Sequence, residues 1–219
     1  MIEAVIFDMD GVIVDNMKVH VLAFAEMCRR YGVAFDLEKF KPMAGRGNNE
    51  IMPQFFDAKL IEERGIPSLA AEKEAIYREI YAPDIAPVKG LRQFLEQMRS
   101  HGVKCAVGSS GCKENVDFVL DGCHVREYFD VVVNSDMVTR CKPDPEIYLK
   151  AVELLGVKAS SCIVFEDALA GMEAARRAGI KTVAIATTLP RAEIQAQSDA
   201  AMIIDDFSEI NYERLESLA

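Results

Sequence analysis

The chain has 219 residues, half of them apolar and 27% charged, and carries a formal net charge of -10. Such an excess of carboxylates would repel a phosphate backbone, so nucleic acid is not an expected partner. The apolar runs fall short of the roughly 20 residues that cross a bilayer, and the first residues lack the basic start of a signal peptide. The six cysteines form no C-x-x-C pair, which favours reduced thiols in a cytoplasmic protein without a membrane partner.

Six short, β-branched runs predict the strands of one sheet. In chain order they are residues 4–7, 103–107, 131–133, 162–165, 182–185 and 202–204. Helical patterns lie between them at 91–101, 145–155 and 168–178, and a glycine follows each, as is common at helix ends. Strands that alternate with helices predict an α/β fold, a three-layer Rossmann-like parallel sheet with helices on both faces.

The segment 16–86 interrupts this alternation, because it contains no run that predicts a strand. Helical patterns at 18–31, 48–64 and 68–81 fill it, and a proline-rich stretch at 82–87 closes it. We therefore predict a small helical cap domain at 16–86, inserted after the first strand. Residues 1–15 and 87–219 then form the α/β core.

Polar side chains follow four of the predicted strands. They are Asp8 and Asp10 after the first strand, Ser109 after the second, Lys142 in the loop after the third, and Glu166 and Asp167 after the fourth. Because the carboxyl ends of parallel strands meet at one edge of a sheet, we expect these side chains to lie close together. Carboxylates gathered there would repel one another unless a hard divalent cation such as Mg²⁺ joined them. A lysine and a hydroxyl beside that cation would suit a phosphoryl group.

Each of these residues also has an ordinary structural explanation. Asp167 and Ser109 precede helices and could cap them, Asp8 and Asp10 could form a turn, and Lys142 could be a solvated loop lysine. What favours a functional site is the arrival of all of these residues at the same sheet edge.

Four segments resemble the motifs of the haloacid dehalogenase superfamily, in the same order and with similar spacing over nearly the whole chain. They are Asp8-Met9-Asp10-Gly11-Val12, Ser109 after an apolar strand, Lys142-Pro143-Asp144-Pro145-Glu146-Ile147-Tyr148, and Phe165-Glu166-Asp167-Ala168-Leu169-Ala170-Gly171. The helical insert is similar to the small cap of the subgroup that includes β-phosphoglucomutases and many sugar-phosphate phosphatases.

This resemblance implies a role for each residue of the motifs. Asp8 would attack phosphorus and form an aspartyl-phosphate, and Asp10 would act as general acid and then as general base. The implied cofactor is Mg²⁺, held by Asp8, by the backbone carbonyl of Asp10, by Asp167, and by Glu166 directly or through water. The presence of Asp10 favours phosphoryl transfer over halide displacement, because the dehalogenase branch lacks this residue.

The resemblance also implies which residues bind the substrate. Ser109, Ser110 and Lys142 would contact the transferred phosphoryl group. His20, Lys73 and Arg46 in the predicted cap are further candidates. Arg46 stands between two glycines, which have no side chain and so let backbone N–H groups approach an anion. The alternatives are a structural or solvated His20 and a solvated Lys73.

The cap decides which acceptor receives the phosphoryl group. If water enters, the enzyme is a phosphatase, and if only a sugar phosphate is accepted, it is a mutase. The chain departs from the mutase pattern at Ala44 and Asn48, where a lysine and an arginine are expected. We therefore predict a phosphatase that acts on a small phosphorylated metabolite, as a monomer or weak dimer. A β-phosphoglucomutase-type enzyme and a catalytically silent binding module are the alternatives.

Overall fold

The computed structural model describes residues 1–40, 43 and 47–218. The chain divides into two compact units, one formed by Met1–Asp15 with Ala86–Ala219 and the other by Asn16–Ile85. Within the described residues the first unit is built on a sheet and the second is helical. None of the helices described there is long and apolar enough to cross a membrane. That the helical unit acts as a cap stays a prediction.

A six-stranded parallel sheet forms the centre of the first unit. Its strands are β1 (Ala4–Phe7), β2 (Lys104–Gly108), β3 (Val131–Val133), β4 (Cys162–Glu166), β5 (Lys181–Ile185) and β6 (Met202–Ile204). Their order across the sheet is β3-β2-β1-β4-β5-β6, which confirms the predicted Rossmann-like α/β fold. The chain therefore reverses its direction of travel beside β1, where such sheets bind ligands.

Strand β1 lies between β2 and β4, and all four of its residues are buried. Phe7, its last residue, lies opposite Val107 of β2 and Phe165 of β4. The residues that follow these three strands consequently leave the sheet at the same level. This register explains why a site can form there from segments more than 150 positions apart in the chain.

The helical unit contains α1 (Met17–Arg30), α2 (Leu37–Phe40), α3 (Asn48–Phe55), α4 (Ala58–Arg64) and α5 (Ile66–Tyr81). The prediction of one helix over 48–64 was wrong, since the chain is extended at Phe56 and begins a new helix after it. The Asp57 carboxylate accepts a hydrogen bond of 2.8 Å from the backbone N–H of Leu60 and so caps α4. Helix α5 begins earlier than predicted, because Pro67 suits the first turn of a helix.

Helices cover the sheet of the first unit on both faces. They are α6 (Leu91–Ser100), α7 (Lys113–Gly122), α8 (Glu146–Leu155), α9 (Leu169–Arg177), α10 (Arg191–Gln197) and α11 (Tyr212–Glu216). Ile6 packs with residues of α8 and α9, whereas the ring of Phe7 stacks on Phe165 at 5.1 Å and meets Phe94 of α6 edge-on. The alternation of neighbouring side chains along β1 thus produces the three layers.

One hydrogen bond joins the two points where the chain leaves this unit and returns to it. The backbone N–H of Val88 donates to the carbonyl of Ile13 at 2.8 Å. The 70 residues of Asn16–Ile85 are inserted between these two segments.

Candidate active site

The carboxylate of Asp8 and the ammonium of Lys142 form the centre of the candidate site. Asp8 directly follows β1 and is buried, and its backbone N–H donates to the carbonyl of Phe165. Lys142 Nζ donates hydrogen bonds of 2.8 Å to Asp8 Oδ1 and to Glu166 Oε1. The Lys142 side chain is 8% exposed, so its interpretation as a solvated loop lysine is wrong.

Each carboxylate oxygen of Glu166, the last residue of β4, accepts two hydrogen bonds. Oε1 accepts from Lys142 and from the hydroxyl of Tyr148, each at 2.8 Å. Oε2 accepts from the backbone N–H groups of Asp167 and Ala168 at 2.8 and 2.9 Å. Four donors occupy the usual acceptor capacity of a carboxylate, which fixes its position.

Two glycines make room for the carboxylates of this site. A Cβ atom at Gly171 would lie 1.6 Å from Glu166 Oε1, so only glycine fits there. Gly11 has a φ of +77°, and a Cβ atom there would lie 2.0 Å from Asp167 Oδ2. Both glycines are therefore required by the close approach of a carboxylate to the backbone.

Asp167 completes a group of three carboxylates with Asp8 and Glu166. Each offers one oxygen, and these oxygens lie within 4.8 Å of one another. The interpretation of Asp167 as a helix cap is wrong, because the N-cap residue of α9 is Ala168. The Asp167 side chain is instead buried within the cluster.

Burial and mutual repulsion shift the titration of these groups. Burial raises the pKa of Asp8 to about 7, Lys142 opposes that shift, and the nearby charges of Glu166 and Asp10 add to it. Burial and the charges of Glu166 and Asp8 raise the pKa of Asp167 well above its ordinary range. Burial disfavours the ammonium of Lys142, but the carboxylates of Asp8 and Glu166 outweigh it and raise its pKa well above the usual value.

These carboxylates fit a hard divalent cation. They are oxygen ligands gathered at one place. Even with Lys142 beside them, burial and mutual repulsion make their negative charge electrostatically costly. A cation of the Mg²⁺ type would remove that cost and would find its ligands already in position.

The other predicted residues of the sheet edge differ in exposure. Ser109 follows β2 and is fully buried, and its Oγ accepts a hydrogen bond of 2.9 Å from the backbone N–H of Gly111. The interpretation of Ser109 as a helix cap is wrong, because Cys112 is the N-cap residue of α7. Ser110 is exposed, and Asp10 is half-buried and forms a backbone bridge with Val14.

From the sequence, Tyr148 could either line the site or pack in the core, and its hydroxyl contact was not foreseen. Its spacing on α8 matches the buried face of that helix, with Ile147, Ala151 and Val152. Two features of the sequence pointed to it: Tyr148 ends the motif that begins at Lys142, and its phenol lies on a helix face expected to be apolar.

Two predicted substrate-binding residues meet in the helical unit. Lys73 Nζ lies 3.1 Å from His20 Nδ1 and 2.7 Å from Glu74 Oε1, and Lys73 is 3% exposed. The interpretation of Lys73 as a solvated lysine is therefore wrong. Asn48 Nδ2 donates to Glu74 Oε1 at 2.8 Å, and the His20 ring stacks on Tyr77 with centroids 4.2 Å apart.

Glu74 offsets the charge of Lys73 within this cluster. Burial would raise the pKa of the Glu74 carboxyl, but Lys73 and His20 hold it below its usual value. The sequence did not single out Glu74 as part of a site. Arg46 lies outside the described residues.

The sequence profile described as haloacid dehalogenase-like hydrolase matches residues 5–185. The chain belongs to this family. Among curated proteins of the family, the chain is 31% identical to validoxylamine A 7'-phosphate phosphatase of Streptomyces hygroscopicus subsp. limoneus, over 97% of each chain. It is 33% identical to the phosphorylated carbohydrates phosphatase of Thermotoga maritima, over 83% of each. It spans 20% of one longer relative, the Arabidopsis thaliana protein SUPPRESSOR OF QUENCHING 1, chloroplastic.

A solved structure of the family matches nearly the whole chain. The crystal structure of CbbY from Rhodobacter sphaeroides in complex with phosphate has a TM-score of 0.87 and 27% identity, and the match covers 99% of this chain and 100% of that one. The predicted superfamily and the predicted enzyme class, a phosphatase of the haloacid dehalogenase-like family, are confirmed.

Proposed function

We propose that the chain is a Mg²⁺-dependent phosphatase that hydrolyses a small phosphorylated sugar through an aspartyl-phosphate on Asp8. The observation that carries this proposal is the contact of a buried Asp8 with Lys142, beside two further carboxylates at one sheet edge. The Thermotoga maritima relative, named for phosphorylated carbohydrates, supports the substrate class. The cytoplasmic location and the monomeric or weakly dimeric state stay predictions.

Asp8, Asp167 and the backbone carbonyl of Asp10 would hold the cation directly. Glu166 would contact the cation directly or through water, in either case at an acceptor position that one of its four present donors gives up. When bound, the ion offsets the charge of the phosphoryl oxygens and of the attacking carboxylate.

Each side chain of the site then has its own role in the reaction. A carboxylate oxygen of Asp8 forms a bond to phosphorus while the ester oxygen departs with a proton from Asp10. Asp10 afterwards takes a proton from water, whose oxygen attacks the same phosphorus and releases Asp8 and inorganic phosphate. Lys142 neutralises charge on the transferred group, and Ser109 and Ser110 donate hydrogen bonds to it.

The helical unit supports a phosphatase over a mutase. We propose that His20, Lys73 and Arg46 of this unit bind the part of the substrate that is not transferred. A mutase must grip a second phosphate, which calls for surplus positive charge, but Glu74 already pairs with Lys73. This pairing suits the hydroxyl groups of a sugar monophosphate better than a bisphosphate.

A panel of phosphate esters and pyrophosphate assayed with Mg²⁺ tests the proposal. We expect Mg²⁺-dependent release of phosphate from sugar monophosphates, and its loss in Asp8→Asn. An Asp8→Asn variant that keeps near-full turnover would contradict the covalent intermediate. Conversion of β-glucose 1-phosphate to glucose 6-phosphate with a trace of bisphosphate activator would favour the mutase instead.

A further inference from the structure

Tyr148 contacts three of the four segments that build the site. Its hydroxyl donates to Glu166 Oε1 at 2.8 Å, at the end of β4. Lys142 Nζ lies 4.8 Å from the centre of its ring. A Cβ atom at Gly108, the last residue of β2, would lie 3.1 Å from Tyr148 Cδ1. The side chain is fully buried and is wedged between β2, β4 and the loop of Lys142.

The hydroxyl of Tyr148 requires an explanation that core packing does not give. A phenylalanine would fill almost the same volume without burying a polar group, which costs free energy unless it is hydrogen-bonded. The partner that satisfies this hydroxyl is the oxygen of Glu166 that also accepts from Lys142. The Tyr148 ring also presents the negative face of its π-system to the ammonium of Lys142.

We propose that Tyr148 is a positioning residue that holds Glu166 and Lys142 in place for the bound cation and the phosphoryl group. Its hydroxyl fixes the rotation of the Glu166 carboxylate, and its ring limits where the Lys142 ammonium can move. Partners of this kind, one contact removed from the reacting atoms, commonly set metal affinity. The inference rests on the proposed function for the identity of the cation.

Two variants separate the hydroxyl from the ring. Tyr148→Phe removes only the hydroxyl, and Tyr148→Leu removes the ring as well. We expect Tyr148→Phe to bind Mg²⁺ about tenfold more weakly than the wild type in titration calorimetry. Tyr148→Leu should bind more weakly still, and kcat should fall with little change in the substrate KM.

Tyr128→Phe is the matched control, because Tyr128 makes the same two kinds of contact elsewhere. Its hydroxyl donates to Glu96 Oε1 at 3.3 Å, and Arg99 lies 4.2 Å from the centre of its ring. We expect this variant to bind Mg²⁺ as the wild type does. Thermal unfolding of every variant, followed by circular dichroism, gives the stability of each fold.

Mg²⁺ affinity decides the inference independently of turnover. A Tyr148→Phe variant that is less stable but binds Mg²⁺ as tightly as the wild type would show that the hydroxyl only serves the fold, and would overturn the inference. A wild-type chain that binds no Mg²⁺ would overturn it as well. A wild type that binds Mg²⁺ but cleaves no ester would overturn the proposed function alone, because the comparison of affinities would still hold.

Discussion

The ammonium of Lys142 lies 2.8 Å from Oδ1 of Asp8 and also donates a hydrogen bond to a second buried carboxylate, that of Glu166. This lysine thus stabilises the ionised form of Asp8, the proposed nucleophile, and a phosphoryl group bound to Asp8 would lie beside the same ammonium.

Replacing Lys142 by methionine should abolish most of the activity. The variant keeps the approximate volume of the side chain but leaves two buried carboxylates without a compensating charge. It also removes the positive charge that would neutralise the transferred phosphoryl group. We expect kcat with a sugar monophosphate to fall by at least about 100-fold. Lys150→Met is the control, because Lys150 forms an exposed ion pair with Glu153 on α8. Equal values of kcat for the two variants would show that Lys142 takes no part in the reaction.

Binding of Mg²⁺ should release protons near neutral pH. The metal-free site holds Asp8 with a pKa of about 7 and Asp167 with a pKa well above its ordinary value, whereas the cation binds ionised carboxylates. Affinity should therefore rise with pH and level off above these pKa values, by about tenfold per pH unit for each proton displaced. Calorimetry in buffers of different ionisation enthalpy counts the protons. A pH-independent affinity between pH 3.8 and about 7, the interval of the Asp8 shift, would contradict the raised pKa.

The metal-free protein should lose stability as the pH rises. The folded-state pKa of Asp8 lies above its ordinary value of 3.8, so folding favours the neutral carboxyl. The stability that this proton provides is fully present below pH 3.8 and is lost progressively as the pH approaches about 7. The decline of Tm over this interval should shrink in excess Mg²⁺, and in Asp8→Asn without Mg²⁺. A decline that Mg²⁺ leaves unchanged would have to come from other groups.

A methyl group at position 171 should disturb Glu166. In Gly171→Ala the new Cβ would lie 1.6 Å from Glu166 Oε1, so the carboxylate must give up its place. We expect phosphate release to fall about 10- to 100-fold, as for other losses of a supporting contact. Ala170→Ser adds one atom at the exposed neighbouring position and serves as the control. If Gly171→Ala retained full activity, the position of Glu166 would not matter for turnover.

Removing the negative charge of Glu74 should change substrate preference. Glu74→Gln leaves Lys73 without its compensating carboxylate, so more anionic esters gain attraction. We expect the ratio of kcat/KM for a sugar bisphosphate over the monophosphate to rise about tenfold, which corresponds to ~1.4 kcal/mol. Glu79→Gln, at an exposed position of α5, should leave the ratio unchanged. An unchanged ratio in Glu74→Gln would separate this cluster from substrate choice.

The sheet edge could be predicted because its signals are local. The six β-branched runs became strands, and the polar residues after them were visible as breaks in apolar patterns. The helix over 48–64 was wrongly continued because its apolar period persists through Phe56, while the cap at Asp57 ends and restarts the helix. A short polar capping contact outweighed periodicity there.

Contacts between distant positions were beyond the sequence. Lys73 and His20 are 53 positions apart, and nothing local shows that Lys73 is buried or that Glu74 faces it. The hydroxyl of Tyr148 was overlooked for a similar reason, since the period of α8 places it on the core side. Only the fold reveals that Glu166 stands there.

The hydrogen bond between Val88 and Ile13 gives the chain a modular character. Because the outgoing and returning segments of the sheet-bearing unit are tied to each other at this point, a turn of a few residues is long enough to bridge them in place of Asn16–Ile85. We expect that helical units from other members of the family can be exchanged at this junction without altering a strand. Chimeric enzymes joined there would combine the sheet-bearing unit of one parent with the helical unit of another, and their substrate preference would test the predicted role of the cap.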